Sequence, residues 1–168
     1  MQGYVAPSVR ARMHAHVRNE SGRYRLRTCA IATTAAPMPD CDPDGPLPQA
    51  PSESVLVIGS VPFTGRIPSV TPDRAGAVFD MIAVGYPLET LTRFVPDEIA
   101  SDLGGQLEAR LHWDGEHPRA PSGRIALSGG RATLTTLGEP MRNLDLLLVA
   151  QDSSVRIDHV DFELGRGR

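Results

Sequence analysis

Three carboxylates on alternate residues, in Asp40-Cys41-Asp42-Pro43-Asp44-Gly45, form the densest cluster of potential ligands in the chain. Alternate acidic side chains closed by a glycine match the opening of a calcium loop, where hard oxygen ligands converge on one cation. Such a loop is completed by a bidentate Glu at its twelfth position, and here that position is Pro51. The segment therefore reads as an acidic turn, stiffened by Pro43. His14 and His16 are two residues apart, so on a strand they share a face and could begin a metal site. No Cys, Asp or third His lies near them in sequence, so no metal is expected. The serines lack the G-x-S-x-G setting of a nucleophile elbow. Gly104-Gly105 and Gly129-Gly130 lack the spacing and the following helix of a phosphate loop. His112, His117 and His159 form no ligand motif, and Asp97/Glu98 and Asp158/Asp161 read as solvated ends of elements. These residue types point to a protein that is not an enzyme and carries no cofactor.

The elements that would have to position any site are strands. In residues 106–113, Leu107, Ala109, Leu111 and Trp113 alternate with Gln106, Glu108, Arg110 and His112, which gives one apolar and one wet face. Ile125 and Leu127 share a side of the next run. Ser128-Gly129-Gly130 then reads as a turn, with Ala132 and Leu134 on the returning strand. Further runs lie around Leu144, Leu146 and Leu148 and around Val155 and Ile157. Near the start, Val5, Val9, Ala11, Met13, Ala15 and Val17 alternate with Ser8, Arg10, Arg12, His14, His16 and Arg18. After Asn19-Glu20-Ser21-Gly22, Tyr24, Leu26, Thr28 and Ala30 face away from Arg23, Arg25 and Arg27, so a hairpin with an apolar face and an Arg/His face is expected. The basic face suits either anionic headgroups or plain solvation that discourages edge pairing.

Between these runs the composition shifts. Residues 35–54 hold six prolines, which prevent regular structure and predict an extended, mobile surface insertion. Residues 55–61, VLVIGSV, form an apolar strand that Pro62, Gly65, Pro68 and Pro72 break. Ala77, Phe79, Met81 and Ala83 share a face of another, ended by Gly85-Tyr86-Pro87. Residues 87–103 are the helical candidate, with Leu88, Leu91 and Val95 at helical spacing and Pro96-Asp97-Glu98 as an opening triplet before Ile99 and Leu103. One or two short turns that cap or plug the sheet are expected. Three parts follow from this: a hairpin over 1–34, the Pro/Asp-rich insertion over 35–54, and a longer β-segment over 55–168.

Composition agrees with many short strands, since Gly (16) and Pro (15) are abundant and aromatics make up 5%. The net charge of −3 is too small to argue for nucleic acid. All 17 basic residues are Arg, and six of them fall between Arg10 and Arg27 with Glu20 as the opposing charge. No window holds the apolar run of a membrane helix, and the N-terminus lacks a signal-peptide core. Cys29 and Cys41 leave the compartment open. A disulfide between them would suit an oxidising space, while two unrelated thiols are the simpler reading.

From residue 94 onward the motifs occur in a characteristic order: Phe94-Val95-Pro96, Gly104-Gly105-Gln106-Leu107-Glu108-Ala109, Trp113-Asp114-Gly115, Pro118, Gly123-Arg124-Ile125-Ala126-Leu127, Gly130-Arg131, Leu137-Gly138, Asn143-Leu144-Asp145-Leu146-Leu147-Leu148 and Gly165-Arg166-Gly167. This order resembles the translocation and assembly module TamB family, within the AsmA-like bacterial envelope proteins. It covers about residues 55–168 and departs from the family at the 35–54 insertion and in lacking an N-terminal anchor. The resemblance implies an all-β fold: an elongated, twisted, mostly antiparallel open β-groove. It also implies a segment of a longer periplasmic protein anchored to the inner membrane. Its cargo would be phospholipid acyl chains or an outer-membrane protein substrate, and its partner an outer-membrane barrel of the TamA type. The groove wall would be Leu107, Ala109, Leu111, Ile125, Leu127, Ala132, Leu134, Leu144, Leu146 and Leu148. The alternative is a closed β-sandwich, structural or adhesive, in which these side chains pack on one another and the Asp-rich loop takes calcium.

Overall fold

Alternation of apolar and polar residues carries through to strands along nearly the whole chain. A computed structural model describes residues 8–20, 23–46, 49–66, 69–116, 121–136, 138–151 and 154–165. The strands are β1 (Arg10–Glu20), β2 (Arg23–Thr33), β3 (Ser54–Arg66), β4 (Ser69–Pro72), β5 (Val78–Pro87), β6 (Ala100–Asp114), β7 (Ser122–Leu134), β8 (Glu139–Gln151) and β9 (Ser154–Leu164). They form one open antiparallel sheet in the order β1-β2-β3-β5-β6-β7-β8-β9, with the short β4 folded back on β3. A single 3-10 turn, Leu88–Phe94, is the only helical element among the described residues. None is long and apolar enough to cross a membrane, which says nothing of strands.

Because paired residues in an antiparallel ladder point to the same side, the registers sort the sheet into two faces. One row runs Ala11, Ala32, Val55, Ala83, Ala109, Ile125, Leu148, Ile157, across all eight strands of the main path. The next row is Met13, Ala30, Val57, Met81, Leu111, Gly123, Ala150, Val155, again without a polar side chain. The intervening positions face the other way. There Arg12, Ile31, Leu56, Ile82, Arg110, Arg124, Val149 and Arg156 form a mixed row, basic toward both ends.

Each face acquires a small cover. On the apolar side the 3-10 turn lays Leu91 over Ala83, Tyr86 and Ala109, with Val55, Met81, Leu107 and Ile125 around them. On the opposite side residues 35–46 and 49–53 return to the sheet. A disulfide joins Cys41 to Cys29 on β2, with Cα atoms 5.7 Å apart. Cys29, Ile31, Cys41 and Leu56 close into a core with Ala50, Ile58 and Ile82 packed against it. Full burial of a leucine such as Leu56 stabilises by about 1.5–3 kcal/mol.

Several expectations are overturned. Cys29 and Cys41 are bonded to each other, because the register of β2 turns Cys29 toward the side on which the loop lands. The proline-rich segment lacks regular structure as expected, yet it is folded onto the sheet. Ser128-Gly129-Gly130 is a bulge and not a turn: β7 runs through it, and Gly129 takes φ +57° to absorb the irregularity. Ala132 and Leu134 therefore lie on the same strand as Ile125. Pro62 and Gly65 do not break β3, whose edge there pairs with β4, and Gly85 sits in a bulge before β5 ends at Pro87. The short turn expected within residues 87–103 is present as Leu88–Phe94. Pro96 closes one turn by accepting from the N–H groups of Ile99 and Ala100, and β6 begins at Ala100. Val5, and the turn residues Ser21 and Gly22, lie outside the described residues.

Candidate apolar binding face

The expected groove residues are brought together in part by register and in part by a bulge. Leu107, Leu127 and Leu146 form a row that continues to Tyr86 and Val160. Ala109, Ile125 and Leu148 belong to one of the eight-strand rows, and Leu111 to the other. Leu144 joins them because the bulge shifts the phase of β7. A Cβ built on Gly130 would lie 2.9 Å from Leu144 Cβ and 3.1 Å from Leu127 Cδ2, so both leucines close over the missing side chain. Ala132 and Leu134 lie beyond that bulge. Ala132 is buried opposite Met141, and Leu134 is paired with Ala100 and Glu139 at the far end of the strand. They are a continuation of the wall and not part of its regular rows.

Sequence reasoning missed how far the face extends. The hairpin residues Met13, Ala30 and Ala32, the β3 residues Val55 and Val57, and Ile157 and Val160 on β9 share its rows. Their alternation is visible in the sequence, but only pairing puts them in phase. The row Ala15, Thr28, Gly59, Phe79, Trp113 adds an aromatic corner. The Phe79 and Trp113 rings stand 5.7 Å apart at 41°. Gly59 makes room for Phe79, since a Cβ there would come within 2.6 Å of the ring. Most of the face is half-buried, while Met13 (70% exposed) and Ile157 (62%) at its two margins are open to solvent. The two eight-strand rows consist of apolar side chains and one glycine, so what they offer chemically is contact with apolar matter.

The opposite face carries the charges. His16 and Asp44 are hydrogen-bonded at 2.7 Å, and Arg18 and Arg27 approach the same carboxylate at 3.1 and 3.6 Å. The hydrogen bond from His16, with the nearby cationic groups, holds the Asp44 carboxyl below its ordinary pKa. Ligand atoms of His16, Asp42 and Asp44 lie within 4.8 Å of one another. The expectation that nothing completes a site at the hairpin histidines is thus corrected, because two loop carboxylates arrive there. Two arginines on the same carboxylate oppose a cation, and the cluster ties the loop to the sheet. Arg12 and Asp40, 3.3 Å apart, make a second tie. His112 is paired with Asp80 across β5 and β6 at 2.8 Å.

Compared with protein-family models, with curated proteins and with solved structures, the chain matches none.

Proposed function

We propose that the apolar face binds the acyl chains of phospholipid, and that the chain is a non-catalytic, TamB-like segment of a longer envelope protein that moves lipid between inner and outer membranes. The observation that carries this reading is the pair of rows that cross eight strands without a polar side chain. With strands about 4.8 Å apart, such a row extends on the order of 33 Å. Acyl chains can lie along a continuous apolar strip and keep its surface from water while their headgroups stay wet. The 3-10 turn laid over the middle of the strip acts in this reading as a plug that cargo displaces or passes. The Cys29–Cys41 disulfide supports a periplasmic setting, since such bonds persist in oxidising compartments. A closed sandwich would need a second sheet over the same rows, and the described residues form a single open one. The same strip would also accept the apolar side of an unfolded outer-membrane strand delivered to a TamA-type barrel; phospholipid is the cargo to test first.

Photo-crosslinking amino acids at Leu107 and Leu111, with Arg110 as the opposite-face control, test the reading in phospholipid vesicles or in cells. Lipid adducts at 107 and 111 but not at 110 are expected. Adducts at none of the three, together with no phospholipid extracted from the purified protein, would sink it.

A further inference from the structure

The 3-10 turn that covers the middle of the apolar strip is fastened by an ion pair made outside the strip. Arg131 stands on β7 between Gly130 and Ala132, so its side chain leaves the sheet on the side away from the wall. It lies opposite Gly104 on β6, and its guanidinium reaches across that glycine to Glu89, with Nη2 donating to Oε1 at 2.9 Å. A Cβ on Gly104 would come within 2.6 Å of Arg131 Nε and closer still to Cζ, so the reach depends on the missing side chain. Glu89 belongs to the turn, and its side chain is 13% exposed. We infer, on the reading of this face as a lipid strip, that Glu89, Gly104 and Arg131 form a latch: it holds the turn closed, and its release opens the strip to acyl chains.

The turn is built to move as one piece. Thr90 Oγ1 donates to the Pro87 carbonyl at 2.7 Å, Thr92 Oγ1 to the Glu89 carbonyl at 2.9 Å, and the Val95 N–H to the Thr92 carbonyl at 3.3 Å. All three bonds stay within the segment. Before it, Gly85 sits in the β5 bulge at φ +54°, with nothing within 4 Å of a Cβ position, and offers a pivot. Beyond it, Thr135 holds the chain, its Oγ1 donating to the Asp97 carbonyl at 2.6 Å and its N–H to the Ile99 carbonyl at 3.2 Å. Between these two points the turn meets the sheet through Leu91 and through Glu89.

Those two contacts answer differently to cargo. Leu91 packs on Ala83, Tyr86 and Ala109, and an acyl chain offers them the same kind of contact, so exchanging one for the other is close to neutral. Methylenes offer nothing to the ion pair. Breaking a charge-assisted hydrogen bond leaves a largely buried carboxylate without its donor, which is unfavourable. The latch therefore sets how often the strip is open.

Two variants cut the latch by different means. Arg131→Ala removes the donor, whereas Gly104→Ala keeps both charges and pushes the flexible guanidinium aside. In the purified, lipid-free, disulfide-intact chain, amide hydrogen exchange over residues 88–95 should quicken roughly tenfold in each. Arg124→Ala, which removes another arginine from β7, should leave it unchanged. Circular dichroism checks that each variant folds. In phospholipid vesicles, a diazirine crosslinker is then placed at Ile125, which packs under the turn, or at Leu111, outside that cluster. The ratio of lipid adducts at 125 to those at 111 should rise several-fold when the latch is cut. Unchanged exchange in both variants overturns the latch, whatever the adducts do. Faster exchange with an unchanged adduct ratio overturns the gate. Adducts at neither position in any variant overturn the lipid reading and the gate with it, while exchange still shows whether Arg131 fastens the turn.

Discussion

Strands β2 and β3 and strands β8 and β9 are written in the same alternating code, yet they end in different surroundings. On β3 Leu56 is 1% exposed; on β9 Ile157 is 62% exposed. Both are branched aliphatic residues in antiparallel pairs, but Leu56 lies between two neighbouring strands and Ile157 on β9, which has one among the described residues. A second layer widens that difference. Residues 35–46 and 49–53 cross the β2–β3 surface and are held there by the Cys29–Cys41 bond and by the Asp44 and Asp40 ion pairs. No comparable cover lies over β9 among the described residues. Pairing makes a sheet, and burial then depends on what is laid across it.

The comparison breaks first at single side chains. Leu56→Ala should cost about 2–5 kcal/mol, as for other leucines truncated in a closed core. Ile157→Ala should stay within about 0.5 kcal/mol, as at open surface positions. Urea midpoints for the two variants decide the matter, and equal losses would show that the two ends are not differently packed. Next in size is the staple. Reducing the Cys29–Cys41 bond, whose partners are 12 residues apart in sequence, should cost about 2–4 kcal/mol and expose residues 35–53 to proteases. An unchanged midpoint after reduction would mean that the loop is held by its packing and ion pairs alone.

A smaller effect is expected at the bulge of β7. Gly130→Ala should cost about 1–3 kcal/mol, because the new methyl group meets the Leu144 backbone oxygen at 3.0 Å as well as its Cβ. Gly129→Ala meets no atom within 4 Å but keeps φ +57°, and should cost about 1 kcal/mol. Reversal of that order in thermal unfolding would place the tight contact elsewhere. The smallest effect concerns acid. The Asp44 pKa is lowered in the fold, so its contribution is present above the ordinary carboxylate range and lost as pH falls through the folded value. The wild-type urea midpoint should fall below about pH 4 more steeply than that of Asp44→Asn. Identical acid limbs would remove Asp44 from the account of how the loop is held.

Much of the fold was legible from residues alone. Alternation at Gln106 to Trp113 and at Ala11 to Val17 sets strands with one apolar face, because a pleated backbone sends successive side chains to opposite sides. The helical spacing of Leu88 and Leu91 marks the short 3-10 turn that lies on the sheet. What neighbours each strand was not legible. Ser128-Gly129-Gly130 suits a turn and a bulge equally well, and only the ladders to β6 and β8 made it a bulge. Cys29 and Cys41 could not be paired from their spacing, nor could Asp42 and Asp44 be placed beside His16, since both outcomes depend on where the proline-rich loop comes down. Local sequence determines the period and therefore the two faces of every strand, for those are set by each residue's own backbone. Register, the continuity of the apolar rows and the choice of which end is covered were decided only in the tertiary structure, because each depends on contacts between residues far apart in the chain.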